Sequence, residues 1–377
     1  MSKIEMDNLF TGPSATTVAT VESPAKKHAL PRASVIIVNY NGFDYLEDCL
    51  SSVLDQSYPD FEIVLVENAS TDGSADIAEY YVDQLTLVKA GENLGFAGGN
   101  NLGIQHATGN YLAFLNPDTV VEPNWLFELV TTLESNPQAG LATARILLLS
   151  KPDRINTCGN DVHFTGIPTV RGWMQAAEAM DRLEEVISVS GACFVTRRSL
   201  LSEIGGFDSD FFLYSEDNDL SWRAQLAGYR CLYVPTSVIY HRYAPRFEAD
   251  KFFYLERNRY RLVLQNFKWR TLLLLLPALI LSDVVTWGFA VLQGRQHIAA
   301  KLRVYKWFLS HWPEVNRARR RVGSFRRERD HEILKRCSYR LGYGLAANGG
   351  FASKIASKLF DPVFFVLYRL YLIVVQW

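Results

Sequence analysis

The chain has 377 residues but only five cysteines, and their spacing does not suit a zinc site or a disulfide framework. No two of them are separated by just two residues, which is the usual arrangement in zinc sites and redox pairs. This pattern is typical of a protein kept in a reducing compartment. No apolar run follows Met1, so we expect no secretory signal peptide.

The sequence also lacks an even distribution of charge, although its net charge is only −1. Residues 1–240 carry 14 Lys and Arg against 31 Asp and Glu, whereas residues 241–377 carry 25 against 9. An acidic front part and a basic, apolar back part indicate two different tasks. Residues 1–32 have no apolar periodicity and are rich in Ser, Thr, Ala and Pro, which predicts a disordered tail.

From residue 33 onward, apolar runs alternate with amphipathic stretches. The runs at 34–38, 61–66, 85–88 and 111–115 are predicted strands, with helices at 45–54 and from Ser74 onward. This alternation predicts an α/β fold with a doubly wound sheet, in which ligands bind at the carboxyl ends of the strands. The polar residues that follow these strands are Asn39, Asn41, Glu67, Asn68, Asn116 and Asp118.

The alternation becomes less regular after about residue 140. Residues 150–185 have mixed polarity with several Gly and Pro, and we expect loops over the edge of the sheet there. A strand is predicted at 189–196, a helix at 216–227 and a closing strand at 231–234.

Two polar segments of the predicted sheet suit a nucleotide. Residues 67–74 form a strand-to-helix turn whose backbone amides could meet an anion, with Glu67 and Asn68 near a base or ribose. Residues 92–101 combine glycines, which permit close backbone approach, with asparagines, which both donate and accept hydrogen bonds. A well-capped helix and a plain glycine-rich loop explain the same residues, so each segment alone is ambiguous.

Acidic residues in two further segments suggest chemistry. Asp118 follows a strand beside the proposed nucleotide turn, where it suits a divalent cation holding a diphosphate, and His241 could add a ligand. A simple turn and a structural histidine are the ordinary alternatives. Glu216, Asp217 and Asp219 lie at the start of a predicted helix. Their repulsion can raise one pKa toward that of a general base, but acids also favour a helix start by themselves.

In their order and spacing, these segments together resemble the family 2 nucleotide-sugar glycosyltransferases of GT-A fold, most closely the bacterial rhamnosyltransferase-like branch. The resemblance covers about residues 33–245. It rests on residues 38–41, 67–74 and 93–97, on Asn116-Pro117-Asp118, on residues 205–208 and on the acids at 216–219.

The resemblance implies a role for each matching residue. Asp118, with His241, would hold Mg²⁺ or Mn²⁺ on the diphosphate, and Asp217 would be the general base, with Glu216 beside it. A single base without a covalent intermediate implies inversion at the anomeric carbon. Residues 190–192 would lie near the acceptor, and Trp173 or Trp222 could stack on a sugar. The donor-binding set would be Asn39, Asn41, Glu67, Asn68, Asn93, Asn100 and Asn116.

Two positions depart from the family pattern. Glu67 stands where the family often has Asp, and its longer side chain would shift the contact with the base or ribose. Asn116 replaces the first acid of the Asp-x-Asp motif. It would coordinate through an uncharged carbonyl, so we expect a lower metal affinity.

The last third of the chain is basic and apolar. Residues 271–293 approach the roughly 20 residues that cross a bilayer, but Pro277 and Asp283 disfavour a simple span. Arginines at 317–329 and an apolar-aromatic stretch at 360–377 follow. This combination suits an anionic membrane surface better than nucleic acid. We expect residues 246–377 to be a helical region attached peripherally to the cytoplasmic face of the cell (inner) membrane, with a solvated helical subdomain as the alternative.

The leading hypothesis is an inverting, metal-dependent glycosyltransferase with its catalytic domain in residues 33–245. It would move a sugar from a nucleoside diphosphate sugar to a lipid-linked or polysaccharide acceptor in cell-envelope glycan assembly. By resemblance alone the sugar would be rhamnose from a thymidine diphosphate donor. The alternative is a catalytically silent nucleotide-sugar-binding membrane scaffold, against which Asp118 and Asp217 argue. A nucleotidyltransferase ranks last, because a basic glycine-rich phosphate loop is missing.

Overall fold

The computed structural model describes residues 30–243, 248–342 and 351–377. The predicted disordered tail falls mostly on residues 1–29, which lie outside the described residues. Arg32, at the predicted end of the tail, pairs with Asp60 and with Glu62 at the amino end of the second strand.

The described residues contain twelve strands, ten of which form one sheet. The strands are Ala33–Asn39 (β1), Phe61–Glu67 (β2), Thr86–Lys89 (β3), Tyr111–Leu115 (β4), Thr119–Val121 (β5), Ala139–Leu148 (β6), Lys151–Thr157 (β7), Asn160–Val162 (β8), Pro168–Val170 (β9), Glu184–Val186 (β10), Cys193–Arg197 (β11) and Arg230–His241 (β12).

The helices of the first two thirds cover the sheet, and those of the last third follow one another in sequence. They are Leu46–Leu54 (α1), Ser74–Tyr80 (α2), Gly95–His106 (α3), Trp125–Ser135 (α4), Arg198–Ile204 (α5), Glu216–Leu226 (α6), Ala249–Asn266 (α7), Trp269–Gln293 (α8), Arg295–Ser310 (α9), Trp312–Phe325 (α10), Asp330–Arg336 (α11) and Phe351–Val374 (α12).

The large sheet is mixed, with strand order β10-β12-β6-β11-β4-β1-β2-β3. The strands β4, β1, β2 and β3 are parallel neighbours, and β6 is parallel to β12. Between these two parallel parts, β11 runs antiparallel to both β4 and β6. The predicted α/β class with a doubly wound sheet is confirmed.

The interior position of β1 in the sheet explains why its sequence is almost entirely apolar. All seven of its residues are buried, because β2 and β4 flank it and helices cover its faces. Its last residue, Asn39, is in register with Glu67 at the end of β2. In the neighbouring strand, Leu115 is in register with Ile37. The polar residues after these three strands therefore reach the same edge of the sheet.

The glycine-rich segment 92–101, for which a plain loop was one interpretation, leads into the helix α3. Four of its twelve residues are glycine, a composition that disfavours helices. Packing explains the difference, because the helix lies directly on β1. A Cβ at Gly99 would lie 2.6 Å from Val38 Cγ1, and a Cβ at Gly103 would lie 2.5 Å from Ile36 Cγ2. The glycines allow the helix to approach the sheet this closely.

Three further sequence predictions are corrected. Residues 150–185 are not only loops, because β7 and β10 join the large sheet while β8 and β9 form a hairpin of their own. The strand predicted at 189–196 begins only at Cys193, after a turn in which Cys193 N donates to Ser190 O at 3.1 Å. The strand predicted at 231–234 is the long β12, which lies inside the sheet between β10 and β6.

Helix α7 begins the C-terminal region and packs against other helices on two of its sides. One side contacts α6, and the other carries a buried charged cluster shared with α8 and α9. In this cluster Glu256 accepts from Arg259 Nε at 2.6 Å and also pairs with Lys301. Lys301 Nζ lies 2.7 Å from Asp283 Oδ1. The acid that disfavours a membrane span thus has its partners within the protein.

Within the described residues, α8 has the length and apolar composition needed to cross a membrane, and only 22% of its most apolar window is buried. Five of its exposed apolar side chains are spaced by three, four or seven residues, so they share one face of the helix and form a stripe, composed of Leu273, Leu276, Ile280, Val284 and Val291. The neighbouring helix α12 has a similar stripe, composed of Ile355, Leu359, Val363, Val366, Leu370 and Ile373.

Several of the predicted lipid-binding arginines serve the fold instead. Arg326 Nη1 donates to Asp330 at 2.5 Å, and Arg319 Nη1 donates to the carbonyl of Phe267 at 2.9 Å. Arg327 Nη1 donates to the carbonyl of Ala227 at 2.9 Å. All five cysteines are buried and free, as their spacing predicts.

We expect Gly103→Val to destabilise the protein by roughly 1–3 kcal/mol, because the added methyl groups overpack the contact between α3 and β1. Gly91→Val is the control, because nothing lies within 4 Å of a Cβ built at Gly91. Urea unfolding of both variants provides the measurement. Equal stability of the two would contradict a close packing of α3 on the sheet.

Candidate active site

The candidate site lies at the sheet edge where β1 and β2 end. Asn39 Nδ2 donates to Glu67 Oε2 at 2.6 Å and to Ser74 Oγ at 2.9 Å. The other oxygen of Glu67 accepts from Ser70 N at 2.6 Å. Both predicted nucleoside contacts are buried and shape the 67–74 turn, while the buried Asn39 Oδ1 has no partner among the described residues.

The loops after β1, β2 and β3 are joined by asparagine side chains. Asn41 Oδ1 accepts from Thr71 N at 2.8 Å, with Asn41 itself in the left-handed conformation. Asn68 Oδ1 accepts from Leu94 N at 3.0 Å, and its Nδ2 donates to Asn93 Oδ1 at 3.1 Å. Three predicted donor residues therefore lie together. Asn100 lies farther along α3, where it donates to the carbonyl of its own helix at Phe96.

The turn after β4 brings Asp118 to His241. Asp118 Oδ1 lies 3.3 Å from His241 Nε2, and this buried oxygen has no hydrogen-bond partner among the described residues. On the other side of the ring, His241 Nδ1 lies 2.8 Å from Asn156 Oδ1. With that oxygen as acceptor, Nδ1 carries the proton and Nε2 presents its lone pair toward Asp118.

This arrangement fits a divalent cation that is shared with a substrate. The described residues contain no group of three or more His, Cys, Asp or Glu side chains able to hold a metal ion. Asp118 and His241 supply two ligands, one of them an orphaned carboxylate oxygen. Mg²⁺ is characteristically held by one or two carboxylates with phosphate oxygens and water completing its shell. The pair therefore suits an ion that arrives with a diphosphate.

Asp217, in the first turn of α6, is held by four hydrogen bonds. Its Oδ2 accepts from Gly191 N at 2.8 Å and from Asn160 Nδ2 at 3.1 Å. Its Oδ1 accepts from Asn218 N at 2.8 Å and from Asn218 Nδ2 at 2.9 Å. Burial raises the pKa of Asp217 to about 6, while these bonds oppose the rise.

The other two acids of this segment behave differently. Burial, followed by the nearby charge of Asp217, raises the pKa of Glu216 well above its ordinary range. Asp219 is fully buried and is paired with Arg223 Nε at 2.7 Å and with Asn266 Nδ2 at 3.0 Å. Asp219 thus secures α6 to its neighbours, whereas the adjacent Asp217 and Glu216 have raised pKa values, as general bases and acids often do.

A short turn connects the two halves of the site. Gly191 N donates to Asp217, and one residue later Ala192 O accepts from Asn116 N at 3.0 Å. The turn of residues 190–193 therefore spans the distance between the acids of α6 and the Asn116-Pro117-Asp118 segment. That this turn lies near an acceptor stays a prediction.

The two tryptophans proposed for sugar stacking have different surroundings. Trp222 is fully buried, with its ring 5.2 Å from that of Phe267, so it is a core residue. Trp173 is half-buried, and its ring lies 5.5 Å from that of Tyr243, which in turn neighbours His241. Of the two, only Trp173 has a surface that a sugar could reach.

Asn156 and Asn160 are site residues that the sequence reasoning missed. They flank the turn between β7 and β8 and contact His241 and Asp217, which are 85 and 57 residues away along the chain. Their local sequence carries no motif. The asparagine beside a glycine at 159–160 was the only available signal, and it does not identify a partner.

We expect the difference in unfolding free energy between wild type and Asp217→Asn to depend on pH. Because the pKa of Asp217 is raised from 3.8 to about 6, the folded protein binds this proton more tightly than the unfolded chain does. Protonated Asp217 therefore adds up to about 3 kcal/mol to the unfolding free energy. This contribution is fully present below about pH 4 and is lost as the pH rises through about 6. Urea unfolding of both proteins in EDTA buffer measures it, and a constant difference would contradict the raised pKa.

Residues 34–205 match a known protein family, Glycosyl transferase family 2. The match includes the site from Asn39 to Asp118 and ends before Glu216. Over 207 residues the chain is 26% identical to the poly-β-1,6-N-acetyl-D-glucosamine synthase of Staphylococcus epidermidis, covering 54% of this chain and 48% of the relative. The protein of the same name from Staphylococcus aureus strain MSSA476 is 26% identical over 206 residues. The chain spans about half the length of the curated relatives it matches.

Solved structures share the fold. GalNAc-T7 with UDP, GalNAc and Mn²⁺ superposes with a TM-score of 0.53 at 18% identity, covering 63% of this chain and 48% of that one. Residues 1–349 of S. aureus TarS in complex with UDP give a TM-score of 0.50 at 16% identity, covering 90% of this chain and 91% of that one. These names do not confirm the rhamnosyltransferase-like branch, which stays a prediction. Residues 34–205 of this chain therefore match Glycosyl transferase family 2, and the chain shares the predicted GT-A fold with these solved structures.

Proposed function

We propose that this protein transfers a sugar from a nucleoside diphosphate sugar to a hydroxyl group of a glycan or lipid-linked acceptor, with inversion at the anomeric carbon. The observation that carries the proposal is the turn of residues 190–193. It bonds to Asp217 on one side and to Asn116 on the other, which keeps a candidate base close to a candidate diphosphate site.

In this proposal Asp217 accepts the proton of the acceptor hydroxyl as the hydroxyl oxygen bonds to the anomeric carbon. A general base works best when its pKa lies near the working pH, and the pKa of Asp217 is raised to about 6. At neutral pH the group is then mostly ionised yet still basic. Burial and the charge of Asp217 raise the pKa of Glu216 well above its ordinary range, and Glu216 would orient the acceptor.

On the donor side, Asp118 and His241 would hold the cation on the diphosphate, with the Asn116 carbonyl beside them. A bound Mg²⁺ or Mn²⁺ would supply Lewis-acid stabilisation of the leaving diphosphate. Asn156 would keep Nε2 of His241 available as a ligand by accepting a hydrogen bond from Nδ1–H through its Oδ1.

The nucleoside would lie over the joined loops that carry Asn39, Asn41, Asn68 and Asn93. Both oxygens of Glu67 already accept hydrogen bonds, so Glu67 would contribute mainly by fixing the shape of the turn. The relatives are named for an N-acetylglucosamine polymer, and the solved structures contain UDP. A UDP-N-acetylhexosamine is therefore a second candidate donor beside the thymidine diphosphate rhamnose that the sequence resemblance suggests.

We also propose that the protein attaches to the cytoplasmic face of a membrane through the outward stripes of α8 and α12. The stripes are apolar, and Trp269, Trp312 and Trp377 lie near one end of the helix pair, with Arg270 4.2 Å from the ring centre of Trp377. Aromatic and basic residues of this kind favour a lipid headgroup region. Because Asp283 in the middle of α8 is paired with Lys301 on α9, peripheral attachment suits α8 better than a free span.

We expect the donor to stabilise the wild-type protein in a metal-dependent way. Thermal unfolding would be followed with UDP-, dTDP- and GDP-sugars in Mn²⁺, with and without EDTA. One nucleotide class should raise the melting temperature, and EDTA should remove the increase. Asp118→Ala should lose the EDTA-sensitive part, because it removes a proposed ligand.

Asp217→Asn is the matched variant for catalysis. It should keep the donor-dependent stabilisation, while transfer to the acceptor falls by roughly 10²- to 10⁴-fold through loss of the base. Equal loss of donor binding and transfer would contradict the base assignment. Donor binding by the wild type without any transfer, in the presence of lipid-linked and glycan acceptors, would favour the silent scaffold.

We expect the protein to sediment with vesicles containing phosphatidylglycerol. Ile280→Glu combined with Val284→Glu should keep it in the supernatant, because two charges would enter the apolar stripe of α8. Tyr80→Glu, at an exposed aromatic residue of α2, is the control. Sedimentation that is the same for all three proteins would argue against this surface.

A further inference from the structure

The segment that delivers Asp217 to the site is held in an unfavourable backbone conformation. Phe212, Tyr214 and Ser215 have φ angles of 60°, 69° and 66°. Residues with a Cβ adopt this left-handed region at a cost of roughly 1–2 kcal/mol each. None of the three is glycine, so contacts elsewhere in the protein must stabilise the segment.

One side chain of α7 makes several of those contacts. Asn258 Nδ2 lies 3.0 Å from the carbonyl oxygen of Phe211, 2.9 Å from that of Leu213 and 2.6 Å from that of Tyr214. Asn258 is fully buried, which makes these bonds costly to lose. The Asn258 amide thus contacts the backbone on both sides of Phe212 and of Tyr214, and directly before Ser215.

The orientation of this amide is itself fixed. Arg257 Nε donates to Asn258 Oδ1 at 2.9 Å, so Nδ2 is the end that faces the loop. Arg257 Nη2 donates to the carbonyl of Phe211 at 2.6 Å. One turn farther along α7, Arg261 Nη2 lies 2.8 Å from the carboxylates of Asp208 and Asp210, where the loop begins.

The loop also touches the helix of the predicted donor pocket. Ala97 N donates to the carbonyl of Phe212 at 3.2 Å, and a Cβ at Gly95 would lie 2.4 Å from the same oxygen. Any change in the loop conformation would therefore move the start of α3 together with Asp217. A misplacement of about 1 Å can cost 10²-fold in rate.

We infer that Asn258 is a positioning residue for the proposed glycosyl transfer, because it holds the 211–215 backbone in the strained form that places Asp217. This inference rests on the proposed function for its effect on rate. Its effect on the loop does not depend on that function. With this role for Asn258, α7 takes part in building the active site, although it lies outside residues 34–205 that match the family.

The first test is hydrogen–deuterium exchange of the full-length protein. Asn258→Ala should increase exchange of residues 208–217, while the strands of the sheet exchange as in wild type. Tyr260→Phe is the matched control, since Tyr260 lies on the other side of α7 and bonds to Asp283. Unchanged exchange at 208–217 in the Asn258→Ala variant would overturn the inference whether or not the protein transfers sugar.

The second test is kinetic. At an assay temperature below the melting temperature of the variant, Asn258→Ala should lower kcat roughly 10- to 100-fold. The donor KM should change far less. Asn258→Asp should lower kcat at least as much. The substitution keeps the size of the side chain but places a hydrogen-bond acceptor next to three carbonyl oxygens. If kcat in Tyr260→Phe fell in proportion to its loss of stability, as in Asn258→Ala, stability alone would explain both effects. That result would also overturn the inference.

Adding Ser215→Gly to the Asn258→Ala variant distinguishes a positioning role of Asn258 from a general loss of folding. Glycine adopts the left-handed conformation freely, and Ser215 Oγ has no hydrogen-bond partner among the described residues. Ser215→Gly should therefore restore part of the kcat and of the exchange protection lost in Asn258→Ala. Failure of this rescue would contradict the role of backbone strain. A wild type that is inactive with every donor and acceptor, yet shows the exchange pattern, would refute the proposed function alone.

Discussion

The rest of the site depends on keeping one buried carboxylate ionisable. Asp217 is only 7% exposed, and such burial alone favours the protonated form. Donors from three separate segments oppose this effect, namely Asn160 at the start of β8, Gly191 in the 190–193 turn and Asn218 on α6. Since these donors act only at hydrogen-bonding distance, the three segments must keep their relative positions to a few tenths of an ångström.

The parts of this arrangement that follow from local sequence could be predicted. The apolar runs of β1, β2 and β4 and the polar residues after them placed Asn39, Glu67 and Asn116 at one edge. The helix α3 could not be predicted, because close packing on β1 overrides its poor helix propensity. Asn160 and Asn258 were missed because their partners are distant in sequence and no local period marks them.

The C-terminal region differs from a simple membrane anchor attached to a catalytic domain. Its first helix, α7, contacts the loop before Asp217 through Asn258 and the helix α6 through Asn266. The other side of α7 shares the buried charges of Glu256 and Arg259 with α8 and α9. A helix that fulfils both roles cannot move freely, so the apolar stripes have a fixed orientation relative to the site.

The 190–193 turn has a consequence for how proteins with this site diverge. Four residues of main chain set the spacing between Asp217 and the segment of Asn116. The loops after β1, β2 and β3, which carry the donor candidates, are joined to each other and are separate in sequence from this turn. Substitutions that accumulate in those loops during evolution can therefore change the sugar that is accepted while the distance between the reacting groups is inherited unchanged.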